Sequence, residues 1–76
     1  MAFDYSKLKG RIVEKFGSQA KFAEALGTSE RTLSLKMNNK IYFRQDEINK
    51  ALDLLGIDLN DAREYFFTPK VQQVEQ

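Results

Sequence analysis

The side chains able to do chemistry in this sequence are cations, amides and hydroxyls, and they gather in one stretch. Arg31, Lys36, Lys40 and Arg44 stand close together, interleaved with Ser34, Asn38 and Tyr42. Groups of this kind bind anions; none of them is a nucleophile with a base beside it. Lys36, Lys40 and Arg44 surround the expected end of a helix, which suits contact with phosphate. Arg31 falls in the first turn of that helix, where a cation opposes the dipole. Local stability gives no reason for it there, and a DNA contact does. Glu30 suits a helix start without any ligand. Gln19 opens an earlier helix, where its amide and the free backbone N–H groups can hold a phosphate together. Tyr42 offers either a hydroxyl to phosphate or a ring to the loop, and both readings stand.

The chain has 76 residues, with no Cys and no His. Those absences exclude a disulfide frame, a thiolate nucleophile and a Cys/His zinc site. They also exclude imidazole-based triads. The carboxylates form no pair with a supporting base, and there is no phosphate-cradling glycine loop or nucleophile elbow. The expectation is a protein that is not an enzyme, with no metal, no cofactor and no small-molecule substrate. No apolar run approaches 18 residues, so no membrane span is expected. There is no signal-peptide pattern, and the cytoplasm is the expected compartment.

The elements that must position these residues are helices. Proline is absent before Pro69, and apolar residues recur at steps of three and four. The first helix is expected over about Tyr5–Phe16, capped by Asp4, with Tyr5, Leu8, Ile12 and Phe16 inward and Val13 beside them. Gly10 within it marks either close packing or nothing. A second helix covers about Gln19–Leu26, with Ser18 as cap and Phe22, Ala23 and Leu26 inward. A third starts after Ser29 and ends near Asn38, with Leu33 and Met37 inward. Asn38-Asn39-Lys40 is a turn, and Phe43 anchors the loop that follows it. The fourth helix covers about Gln45–Leu55, burying Ile48, Ala51, Leu52 and Leu55. Ile57 then enters the core. The last helix covers about Leu59–Phe66, with Leu59, Ala62, Tyr65 and Phe66 inward. Of Tyr65, Phe66 and Phe67, one ring should be partly exposed and available for a dimer contact. The expected fold is all-α, a compact five-helix domain over residues 1–68. Residues 69–76, with only Val71 and Val74 apolar, form a tail that is flexible or a dimer arm.

Residues 18–40 join two short helices through a turn containing Gly27. Ala23 is small where two steeply crossed helices approach, and Gly27 accepts a left-handed backbone without a Cβ clash. Leu33 locks the second helix onto the first. The stretch resembles the helix-turn-helix of phage repressors and Cro proteins, with Gln19, Ala23, Gly27, Ser29, Leu33 and Asn38 at matching positions. The longer run, from FDYSKLKGRIVEKFG through SERTLSLKMNNK to QDEI and EYFF, looks like a family of short prophage regulators in that superfamily. The resemblance implies a sequence-specific transcriptional regulator that inserts helix 3 into the major groove of operator DNA. It puts Glu30, Arg31, Ser34 and Leu35 at base edges, where Leu35 has only apolar contact to offer, such as a thymine methyl. It puts Gln19, Ser29, Lys36, Asn38, Lys40, Tyr42 and Arg44 at phosphates. Asn39 stands where relatives favour glycine, and Arg44 where a Ser or Thr cap is expected. The implied partners are double-stranded operator DNA and a second copy of the chain, at least on DNA. The length suits a Cro-type protein better than a two-domain repressor.

The net charge of +1 is uneven along the chain. Residues 1–44 hold nine Lys/Arg and four Asp/Glu, net +5; residues 45–76 hold three and seven, net −4. The basic part contains the whole two-helix motif, so the dipole would turn that side toward phosphate. The alternative reading is a helical protein-interaction module, antitoxin-like or an anti-repressor adaptor, that does not read DNA. The acidic second half and the exposed ring motivate it.

Overall fold

The computed structural model describes residues 2–69. Among them the order is α1 (Ser6–Phe16), α2 (Gln19–Leu26), α3 (Glu30–Met37), α4 (Gln45–Leu55), a 3-10 turn (Leu59–Asp61) and α5 (Ala62–Phe66). The fold is all-α with five helices. Local chemistry sets most of the boundaries. The Ser18 hydroxyl accepts the Lys21 N–H at 3.2 Å, and the Ser29 hydroxyl accepts the Thr32 N–H at 3.1 Å, as helix N-caps do. Gly17, Gly27 and Gly56 end α1, α2 and α4 in left-handed backbone. Gly27 matters most, because it turns the chain from α2 into α3 at φ +91°.

Two element ends differ from expectation. Tyr5, not Asp4, occupies the N-cap position of α1. Asp4 still does the capping work one residue further out, where its Oδ1 accepts the Ser6 N–H at 2.9 Å. The last helix is split. Asp58 accepts the Asn60 N–H at 2.9 Å, and the Asp61 N–H reaches back to the Asp58 carbonyl at 2.8 Å. These bonds wind a tight 3-10 turn before α5 begins. Ile57 takes the buried position, and Leu59, expected inward, is left 74% exposed.

The core joins Leu8 and Ile12 of α1, Phe22, Ala23 and Leu26 of α2 and Leu33 of α3 to Ala51, Leu52 and Leu55 of α4. Ile57, Ala62, Phe66 and Tyr5 complete it. Ala23 is buried, as its place in the two-helix motif predicts. Phe43 anchors its loop edge-on to both Tyr5 and Phe66, with centroids 5.4 and 5.3 Å away. Val13 lies outside the inward stripe and is exposed. Nothing packs against Gly10. Phe67 is the exposed ring of its run, though one edge meets Phe3.

The end of α3 is closed by a Schellman turn. The Lys40 N–H bonds the Leu35 carbonyl at 2.8 Å and the Asn39 N–H bonds the Lys36 carbonyl at 3.1 Å. Asn39 takes the left-handed position at φ +63°, which asparagine tolerates better than other side chains. Its amide also clamps a distant strand-like segment: Oδ1 accepts the Phe3 N–H at 2.8 Å and Nδ2 donates to the Phe3 carbonyl at 2.9 Å. Phe3 in turn bridges Pro69, and the Asp4 N–H bonds the Thr68 carbonyl at 2.8 Å. Pro69, expected in the tail, is thus paired; residues 70–76, including Val71 and Val74, lie outside the described residues.

Asn39→Gly should keep the turn but lose the two bonds to Phe3, costing about 1–2 kcal/mol. Asn39→Val adds left-handed strain and should cost more. Urea denaturation of the two variants against wild type checks the order.

Candidate functional site

The exposed side of α3 is the candidate site, and its orientation is set from beneath. Leu33 is fully buried against the core. Arg31 and Leu35 are four positions apart, so they share a face one above the other, and both are exposed with Glu30 beside them. Ser34 is half-buried, and its carbonyl and hydroxyl accept the Asn38 amide at 2.8 and 3.3 Å. The Schellman turn brings Lys40 onto the same end of the helix. Ile41 and Tyr42 follow, both exposed, Tyr42 at 78%.

Lys36 departs from expectation. It was expected at phosphate, and it is buried, 5% exposed, with its ammonium hydrogen-bonded to both oxygens of Glu47. The reason is register: Lys36 lies three residues after Leu33, on the inward side of α3. Its aliphatic stem fills space below the helix, and its Nζ stands 6.0 Å from the centre of the Phe43 ring. Glu47 also accepts the Arg44 N–H at 2.8 Å and so caps α4. Burial raises the Glu47 carboxyl, but the Lys36 hydrogen bond, the Arg44 N–H and the attraction of both cations outweigh it. The group therefore titrates below its ordinary 4.5.

The other expected phosphate residues are scattered in their availability. Ser29 has its hydroxyl engaged with Thr32 through both the backbone N–H and the Thr32 hydroxyl. Arg44 pairs with Asp46 at 2.9 Å, with both side chains exposed, a contact worth little. Gln19 is half-buried and lines an open groove of about 430 Å³ together with Ser34, Asn38 and Asn39. Lys9 of α1 lines the same groove; nothing in its sequence position links it to α2 or α3. Ile41 is the other residue missed. Its signal was available, because Ile41, Tyr42 and Phe43 cannot all face inward.

Arg31, Lys40 and Lys9 make no ion pair among the described residues. The surface therefore offers scattered cations and three exposed apolar side chains, Leu35, Ile41 and Tyr42. Such a face can hold a macromolecule by shape, apolar contact and a few charges.

These features define a small all-helical protein whose candidate site is an exposed helix face and the turn after it. The model of a family described as a protein of unknown function, DUF739, matches residues 1–69, and the chain belongs to that family. A solved structure similar to it is the modulator of repression (MOR) of the temperate bacteriophage TP901-1 from Lactococcus lactis. The two are 50% identical, the match covers 95% of this chain and 97% of that one, and the TM-score is 0.78. No curated protein matches.

Lys36→Met leaves the Glu47 carboxylate without its cation and should cost roughly 3–5 kcal/mol, a large part of a small protein's stability. Adding Glu47→Gln should recover part of that loss, since glutamine still accepts the Arg44 N–H. Because the folded Glu47 titrates low, its contribution is full above the ordinary carboxyl value of 4.5. It is lost as pH falls through the folded value. Thermal melts between neutral and acid pH should slope less for Glu47→Gln than for wild type.

Proposed function

We propose that this chain is a small phage regulator that acts on repression by binding a protein, the repressor of such a circuit, and catalyses no reaction. The observation that carries this reading is the make-up of the α3 face. Beside the exposed Arg31 and Lys40 it carries three large apolar or aromatic side chains in solvent, Leu35, Ile41 and Tyr42, and Lys36 is turned inward onto Glu47. A phosphate-binding face is expected to carry more outward cations and less exposed apolar surface. The similar phage protein is named for modulating repression. A protein that modulates repression meets either the repressor or its operator, and this surface suits the former.

A second reading is favoured by one observation. Arg31 and Lys40 are exposed without ion pairs among the described residues, on a helix that follows a tight glycine turn. That arrangement fits a DNA reader of repressor/Cro type. Glu30, Arg31, Ser34 and Leu35 would meet bases, and Gln19, Asn38, Lys40, Tyr42 and Arg44 phosphates, with two copies on one operator.

Binding-site selection from a random duplex pool separates the two. The expected outcome is no enriched motif, with a stable complex when the purified TP901-1 repressor is added. A palindromic motif whose affinity falls steeply and linearly with log salt would reverse the assignment.

A further inference from the structure

We propose that the turn after α3 carries an apolar knob with a cationic rim, and that it seats in an apolar pocket edged with carboxylates on the partner protein. Leu35, Ile41 and Tyr42 form the knob; Arg31 and Lys40 form the rim. The inference deepens the protein-binding reading and rests on it.

The geometry assembles the five residues from two sides. Helix spacing stacks Arg31 on Leu35. The bond from the Lys40 N–H to the Leu35 carbonyl, 2.8 Å, folds the chain back so that Lys40, Ile41 and Tyr42 leave from the same helix end. Asn39, held at both amide atoms by Phe3, keeps the turn in one conformation. A preformed turn loses little freedom on binding. None of the three belongs to the core or to the residues packed against it, which here are Leu33 and Phe43; Tyr42 is 78% exposed, and Leu35 and Ile41 are partly covered. Single exposed apolar residues are ordinary, whereas a group of them on one turn marks an interaction site. Tyrosine and arginine are also the residues that carry most binding energy at protein interfaces.

Charge selects the occupant. The two rim cations have no ion-pair partner among the described residues, so carboxylates opposite them would complete the pairs. The cations of this side, Arg31, Lys40, Lys9 and Arg44, are spread around the apolar group and do not form a continuous track for phosphates, from whose neutralisation DNA affinity mainly comes. A second copy fits poorly. Its groove at Phe67, Thr68 and Pro69 is edged by Arg63 and by a Glu64 already paired with Lys7, and its Asp58 and Asp61 flank an exposed Leu59 that is itself a knob.

The test measures binding of the full chain to purified TP901-1 repressor by calorimetry. Tyr42→Ala should weaken binding about tenfold or more without lowering the thermal midpoint; Leu35→Ala, at a partly covered position, should weaken binding as much while the protein still melts cooperatively. Arg31→Glu should weaken it and flatten its salt dependence. Leu59→Ala, an exposed apolar change outside the knob, should bind like wild type. If wild type binds and all the knob variants bind equally well, the surface is wrong while the protein-binding reading stands. If wild type fails to bind the repressor, or binds duplex DNA with a steep salt slope, that reading fails and takes the surface with it. Self-association of wild type that Tyr42→Ala abolishes would overturn the choice of partner.

Discussion

An ammonium group leaves water only when something takes over its hydration. In this protein Glu47 does so for Lys36. The pair sits under α3, with the Phe43 ring across it, and joins α3 to the start of α4. The same carboxylate caps α4 through the Arg44 N–H. One side chain therefore ties the start of α4 to the underside of α3, where Leu33 and Phe43 pack the helix and the connecting loop. A buried ion pair is weak evidence for net stability, since desolvation offsets much of the attraction. Its effect here is specificity. With Lys36 inward, Arg31 and Leu35 are turned outward, and the exposed face of α3 follows from a contact on its hidden side.

The helices were readable because their signals are local. Ser18 and Ser29 cap the helices that follow them, and Gly27 and Gly56 end the helices before them. The three- and four-residue recurrence from Leu8 to Phe66 names the core. What escaped depends on pairs far apart in the chain. Lys36 reads as one more basic residue until Glu47, eleven positions on, is seen beneath it. A hint existed, since Lys36 shares the inward side of α3 with Leu33. Leu59 kept helical spacing, but Asp58 wound a tighter turn and Ile57 took the buried place. Asn39 reads as part of a turn, at a position where glycine is favoured, yet its side-chain clamp on Phe3 spans 36 residues and has no sequence signature. For the site, the cations and the helix that carries them are legible in the sequence, and which of them are engaged is not: only pairing and exposure separate Arg31 and Lys40 from Lys36.

The same distinction changes the meaning of the charge split. The net +5 of the first 44 residues suggested a basic side free to meet phosphate. Lys7 instead binds Glu64 at 2.6 Å and links α1 to α5. Arg11 donates to the Leu55 carbonyl at 3.0 Å, at the negative end of the α4 dipole. Lys36 is buried. Three of the nine cations therefore act as fastenings between the basic and acidic parts, and the field toward phosphate is left to the others, among them Lys9, Arg31 and Lys40.

The bridge between Phe3 and Pro69 makes the described fold a nearly closed loop of chain. Topologically the molecule behaves as a ring with one seam, and the seam lies beside the turn that ends α3. A short splice across it would leave every helix undisturbed, and the ring could then be cut elsewhere, for example at the solvent-facing Leu59 turn.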